Sequence, residues 1–289
     1  MKGKRVLSVN GRNPVASALL LHAIERATGR QIAEVFDHIV TVSSGSVVAA
    51  LFLVWPLTLG TKEPALALLD IFANASSFRE QLALHFRGKS IRELRTEFTC
   101  ICYELSRRER FIFSSETRSN VNDGNIDLEL SLKASCSGSF LQDPLILETG
   151  KNQFLSIVDG SVFGEDPTSY ALRELRRSSS GEPRLIVSLG TTEEDSAPSA
   201  KSKPTDPPSF ESLILFSQAA SGVVYQEEAP VFLKSTESPI DIVRLAPTVS
   251  ASGGLTIDQA SFERQITATE KYLSKESAAI ESLASRLRK

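Results

Sequence analysis

Short apolar runs alternate with stretches of helical spacing along this chain. Val6-Leu7-Ser8-Val9 suits a buried strand, and residues 15–27 follow with helical spacing and Gly29 at their end. A second buried-type strand is predicted over 39–42, then helices over 46–55 and 64–73. Residues 98–103 and 111–114 are rich in aromatic and β-branched types and read as strands. Residues 128–135 fit a helix that stops at Gly138, and 154–158 and 185–189 are short apolar runs that each end at a turn with glycine. Strands alternating with helices predict an α/β fold: a largely parallel central sheet covered by helices on both faces.

The later part of the chain is different. Residues 193–209 are dense in Ser, Pro and charge, cannot bury a core and are predicted to form a flexible surface loop. Strand- and helix-like segments resume after it, so the expectation is one domain over 1–289. A C-terminal helix is predicted over 258–288, with Phe262, Ile266, Leu273, Ile280, Leu283 and Leu287 on one stripe. It reads as a helix packed on the sheet; the alternative is a face turned to a partner or a membrane. The longest apolar stretch, 47–59, is broken by Pro56 and falls short of the roughly 20 residues a membrane span needs. No secretory leader is visible at the N-terminus.

Composition narrows the options only slightly. The 289 residues are 41% hydrophobic and 23% charged, an ordinary globular balance. The net charge of -3, from 32 Lys+Arg against 35 Asp+Glu, argues against nucleic acid as a partner. Cys100 and Cys102 are two apart, on one face of a strand rather than in a metal-binding or redox turn. With Cys136 they read as reduced core residues of an intracellular protein. The expected location is cytoplasmic, with peripheral contact to membranes.

Two segments carry candidate chemistry. In the first, Ile39-Val40-Thr41-Val42 runs into Ser43-Ser44-Gly45-Ser46. A serine on a sharp turn between a buried strand and a helix is a nucleophile elbow, normally G-x-S-x-G. Ser43 and Gly45 fit, and Thr41 replaces the first glycine. In the second, Leu155-Ser156-Ile157-Val158 delivers Asp159-Gly160 to a strand end. A serine needs a base. The chain has three histidines, His22, His38 and His85, and none follows Asp159, which excludes the α/β-hydrolase order in which the histidine comes last. Each histidine reads as structural. An aspartate within hydrogen-bond reach could serve directly, and Gly160 permits the tight turn beside it. A nucleotide-binding loop is disfavoured, since Gly11 stands alone with neither G-x-G-x-x-G nor a P-loop lysine pattern.

On these residues the chain resembles the patatin-like phospholipase family. That family has D-G-G-G-x-[RK]-G after its first strand, then G-x-S-x-G, then D-G-[GA]. Val6 to Gly11 resembles the first, Phe36 to Gly45 the second and Ile157 to Val162 the third; Asp166-Pro167-Thr168 resembles the N-P-[ST] that often trails it. Ala134-Ser135-Cys136-Ser137-Gly138-Ser139-Phe140 resembles the family's Ala/Ser-rich helix end, and Leu185-Ile186-Val187-Ser188-Leu189-Gly190-Thr191 its late S-L-G-T strand. The resemblance covers about residues 4–225. It implies a patatin-like fold and a catalytic dyad of Ser43 and Asp159. Backbone N–H groups around Gly11, Arg12 and Asn13, with Ser44, would face the oxyanion and substrate. Gly45 and Gly160 would form the turns. The substrate implied is a lipid or acyl ester, cleaved without metal or cofactor.

The motifs are broken in chemically relevant places. Arg12 and Asn13 stand at two glycine positions of the first motif, Pro14 offers no N–H, and Val15 replaces a basic residue. One lost oxyanion donor typically costs about 100- to 1000-fold in rate. Thr41 is expected to crowd the elbow, where a ~1 Å displacement can cost about 100-fold. On that ground Thr41→Gly would raise activity. Two functions follow: a lipid acyl hydrolase with a Ser–Asp dyad, or a patatin-like pseudoenzyme that binds lipid or a protein partner without turnover.

Overall fold

Every residue of His38–Val42 is buried, the pattern of a strand covered on both faces. In the computed structural model, which describes residues 3–11, 13–54, 68, 70–72, 77–115, 126–138, 143–148, 154–173, 183–190, 192–193, 240–249 and 259–288, this strand is near the centre of an eight-stranded sheet. The sheet is formed by β1 (Lys4–Val9), β2 (His38–Val42), β3 (Glu97–Glu104), β4 (Glu109–Ser114), β5 (Leu145–Glu148), β6 (Phe154–Asp159), β7 (Pro183–Leu189) and β9 (Asp241–Leu245). Two short strands, β8 (Thr192–Glu193) and β10 (Thr248–Val249), pair separately. The order is β5-β6-β3-β2-β1-β7-β9, with β4 also on β3. From β9 through β7, β1 and β2 to β3 the pairing is parallel. Beyond β3 it is antiparallel.

Alternation along the strands divides the core. Leu7, Val9 and Ile39 point into the larger apolar cluster. Val6, Val40, Val42 and Ile186 point into the smaller one on the opposite face. The larger cluster receives side chains from α1 (Pro14–Thr28), α3 (Ser44–Val54), α4 (Phe78–Phe86), α5 (Leu128–Ser135), α7 (Gln259–Lys275) and α8 (Ser277–Leu287). A short α2 (Ile32–Val35) packs beside α1 and α3. The other face is covered by α6 (Pro167–Arg173), which packs on β1, β2 and β7. The predicted layers, helices on both faces of a largely parallel sheet, are present.

Local signals explain the boundaries. Asn13 Oδ1 accepts from Ala16 N (2.9 Å), and Pro14 follows at the first helical position, the combination that starts a helix well. Gly29 ends α1 at φ 68°, where glycine avoids the left-handed penalty. The predicted C-terminal helix is in fact two, α7 and α8, with Glu276 at φ -94°, ψ 16° between them. Its apolar stripe continues across that joint: Phe262, Ile280, Leu283 and Leu287 are buried, and Ile266 and Leu273 pack against the same core. Of the predicted helix 64–73, Leu68 and residues 70–72 are described and helical. Trp55, Arg12 and the predicted loop 193–209 beyond Glu193 lie outside the described residues. Among those described, no helix is long and apolar enough to cross a membrane.

Candidate active site

The parallel strands deliver their carboxyl ends to one edge of the sheet, where ligands of open α/β sheets bind. β2 ends there at Val42, and α3 begins at Ser44. Ser43 makes the entire turn between them. Its φ is 56°, one of two left-handed non-glycine residues among those described, the other being Arg108. That conformation is strained for an L-residue and persists only where the surroundings enforce it. It is the geometry of a nucleophile elbow.

Two glycines admit the strain. A Cβ on Gly11 would lie 2.4 Å from Ser43 Cβ and 2.5 Å from Ser44 N. A Cβ on Gly45 would lie 2.5 Å from Val9 O. The loop after β1 and the first turn of α3 therefore touch backbone to backbone, which only glycine permits. Ser44 Oγ donates to Gly11 O (2.6 Å) and closes the contact. Of the expected oxyanion group, Gly11 is thus against the serine. The Asn13 carboxamide oxygen caps α1, with Asn13 at φ -145°.

Asp159 arrives from the other direction. β4 pairs with β3 over Thr99–Glu104, so it occupies one edge of β3. β2 and β6 must then share the opposite edge. β2 runs parallel to β3 and stops at Val42 opposite Ile101. β6 runs antiparallel and stops at Asp159 opposite Cys102. The two strands meet head to head, and Ser43, the residue after Val42, falls beside the end that carries Asp159. Gly160 allows the approach: a Cβ there would be 2.8 Å from Ile101 O. Asp159 is fully buried. Its Oδ1 accepts from Ser161 N (2.9 Å), and its own N–H donates to Ser137 O (2.7 Å).

Thr41 does not crowd the elbow. It is buried, and its Oγ1 donates to Thr99 O (3.0 Å) and accepts from Ser46 Oγ (2.8 Å). Ser46 Oγ also lies 2.8 Å from Ser135 Oγ, which donates to Ser43 O (3.0 Å). Where the usual motif has a bare glycine, this chain has a hydroxyl cluster of its own. The expected clash is absent because the Thr99 carbonyl and Ser46 receive the threonine as a partner.

The cysteines lie beside the aspartate. Cys100, Cys102 and Cys136 form no disulfide and are buried, as expected. Cys100 Sγ and Cys102 Sγ are 3.9 Å apart on one face of β3. Burial first, and the neighbouring Asp159 carboxylate besides, push the Cys136 thiol well up. Cys102 is raised by burial and by Cys100 and Asp159. Among the described residues, no group of three or more His, Cys, Asp or Glu could hold a metal ion.

His38 has a structural role. His38 sits at the start of β2, the end opposite Ser43, and is fully buried. Its Nδ1 is 3.1 Å from Glu97 Oε2, and its Nε2 is 2.8 Å from Thr99 Oγ1, which meets Ser114 Oγ at 2.9 Å. Burial alone would raise the Glu97 carboxyl, but hydrogen bonds from His38 and Lys4 outweigh it and hold the group at about 2. This polar chain joins residues far apart in the sequence and had no signature there. His22 lies within α1, and His85 is in the last turn of α4.

The sequence matches no protein-family model, and no curated protein matches it. Among solved structures the chain is similar to VipD from Legionella pneumophila, with a TM-score of 0.39 and 11% identity over 94% of this chain and 67% of that one.

Proposed function

We propose that the chain is a serine-dependent lipid acyl hydrolase of the patatin type, with Ser43 as nucleophile and Asp159 as general base. One observation carries this reading. Ser43 is forced left-handed between β2 and α3, and β6 brings Asp159 to it along the same edge of β3. In the proposed reaction Asp159 takes the proton from Ser43 Oγ as the oxygen attacks the acyl carbonyl. The leaving alcohol takes up that proton, and the acyl group stays on Ser43. Water, deprotonated by the same carboxylate, then releases the fatty acid. Backbone N–H groups at the Gly11 loop and the start of α3 would face the oxyanion. The substrate is an acyl ester of a lipid, reached by peripheral contact of a cytoplasmic protein with a membrane.

A pseudoenzyme is the second reading, favoured by one specific feature. The first loop keeps only Gly11 of its expected glycines. The two readings separate by hydrolysis of a soluble p-nitrophenyl ester and of phosphatidylcholine vesicles. Turnover by the wild type that falls to background in both Ser43→Ala and Asp159→Asn supports the hydrolase. Background rates in all three proteins refute it and leave a binding function.

A further inference from the structure

The Ser–Asp reading leaves one question of mechanics: what holds Ser43 and Asp159 in register, given that they are on different strands joined by no common turn. We infer that the C-terminal turn of α5 does so, with Ser135 as the positioning residue for Ser43; this rests on the proposed dyad. Ser135 Oγ donates to Ser43 O (3.0 Å). Two residues on, Ser137 O accepts from Asp159 N (2.7 Å). A single turn of chain therefore grips the backbone of both residues.

The grip on Ser43 is the consequential one. A left-handed serine returns to an ordinary conformation unless its carbonyl is fixed. That carbonyl accepts from Ser46 N (3.0 Å) within the turn and from Ser135 Oγ outside it. Of these two, the second ties the Ser43 carbonyl to another element. Ser46 Oγ packs against Ser135 Oγ at 2.8 Å and donates to Thr41 Oγ1, which donates to the Thr99 carbonyl of β3. Ser135, Ser46 and Thr41 are all fully buried, so water cannot replace a missing partner. The threonine at the usual glycine position accepts from Ser46, and Ser46 in turn packs against the hydroxyl of Ser135 that holds Ser43.

A matched control exists in the same helix. Ser131 is equally buried, and its Oγ donates to Asp127 O (2.8 Å) at the other end of α5. Removing the Ser131 hydroxyl costs α5 a buried bond within its own first turn, whereas removing the Ser135 hydroxyl costs the bond to Ser43 O and the contact with Ser46. Ser135→Ala and Ser131→Ala are compared by kcat and KM on a soluble p-nitrophenyl ester and by the rate of fluorophosphonate labelling. The expected result is a fall of about tenfold or more in kcat and labelling rate for Ser135→Ala, with KM unchanged. Ser131→Ala should stay within about twofold of wild type at similar thermal stability. Ser46→Ala, which breaks the bridge from the α3 side, should lower kcat in the same direction and serves if Ser135→Ala does not fold. Equal kinetics for the Ser135 and Ser131 variants would overturn the inference.

If the wild type turns over nothing, the dyad reading fails, and a crystal structure of Ser135→Ala decides the positioning claim by itself. Departure of Ser43 from the left-handed region supports it, and retention of φ near the present 56° overturns it.

Discussion

Replacing Gly11 by alanine perturbs the site without touching a reactive group. The added Cβ would stand 2.4 Å from Ser43 Cβ, 2.5 Å from Ser44 N and 2.8 Å from Val42 O. Carbon contacts are comfortable at about 3.5 Å or more, so the loop and the elbow must part by about 1 Å. Two of the three atoms are backbone, and no side-chain rotation relieves the clash. A displacement of that size at a nucleophile typically costs about 100-fold in rate. Overpacking of this kind also costs about 1–3 kcal/mol of stability. The assay is kcat on a soluble ester with a thermal melt of the same preparation, beside Gly29→Ala. At Gly29 φ is 68° and nothing lies within 4 Å of a new Cβ, so that variant should lose about 1–2 kcal/mol and keep its rate. Gly11→Ala with undiminished rate and melting temperature would refute the reasoning, because Gly11 could not then abut Ser43.

Other substitutions follow from the same structure. Thr41→Gly should not raise activity; it strips the Thr99 carbonyl and Ser46 of a buried partner and places glycine in a strand, for a loss of about 2–4 kcal/mol by urea melts. Glu25 is buried with its Oε1 accepting from Ile32 N (2.9 Å), and burial first raises its carboxyl to about 7. The folded state therefore binds the proton more tightly than the unfolded one. The associated stability is full below pH 4.5 and is lost as pH rises to about 7. Glu25→Gln should flatten that slope and stabilise the protein at pH 8 by on the order of 2 kcal/mol. Glu97 has the opposite sign: its depressed carboxyl stabilises above pH 4.5, and that contribution disappears as pH falls toward about 2. Its side chain is 36% exposed, so after solvent screening Glu97→Gln should lower stability at pH 7 by on the order of 1 kcal/mol, and by less in acid melts near pH 2.

The legible parts of this protein were those encoded locally. An apolar strand ending in Ser43-Ser44-Gly45 announces a strand–turn–helix by itself, and Asp159-Gly160 after Leu155 to Val158 announces a strand end. Both elements stand where their residues put them. The head-to-head meeting of β2 and β6 was not readable, because it depends on both sharing one edge of β3 while β4 takes the other. The fit of Thr41 is hidden for the same reason: it depends on Ser46, five residues away, and on the Thr99 carbonyl, 58 residues away. The break at Glu276 was hidden because the apolar stripe continues through the joint. Strands β5 and β9 were also unforeseen; β5 alternates exposed and half-buried residues, and β9 is mostly half-exposed, so neither carries the continuous apolar signal of β2.

The central claim is that Ser43 is a nucleophile served by Asp159. Incubation with a fluorophosphonate, followed by intact mass and peptide mapping, tests it most directly. The account predicts one adduct, located on Ser43, absent from Ser43→Ala and formed far more slowly in Asp159→Asn. An adduct on another residue, no adduct at all, or equal labelling of the wild type and Asp159→Asn would contradict it.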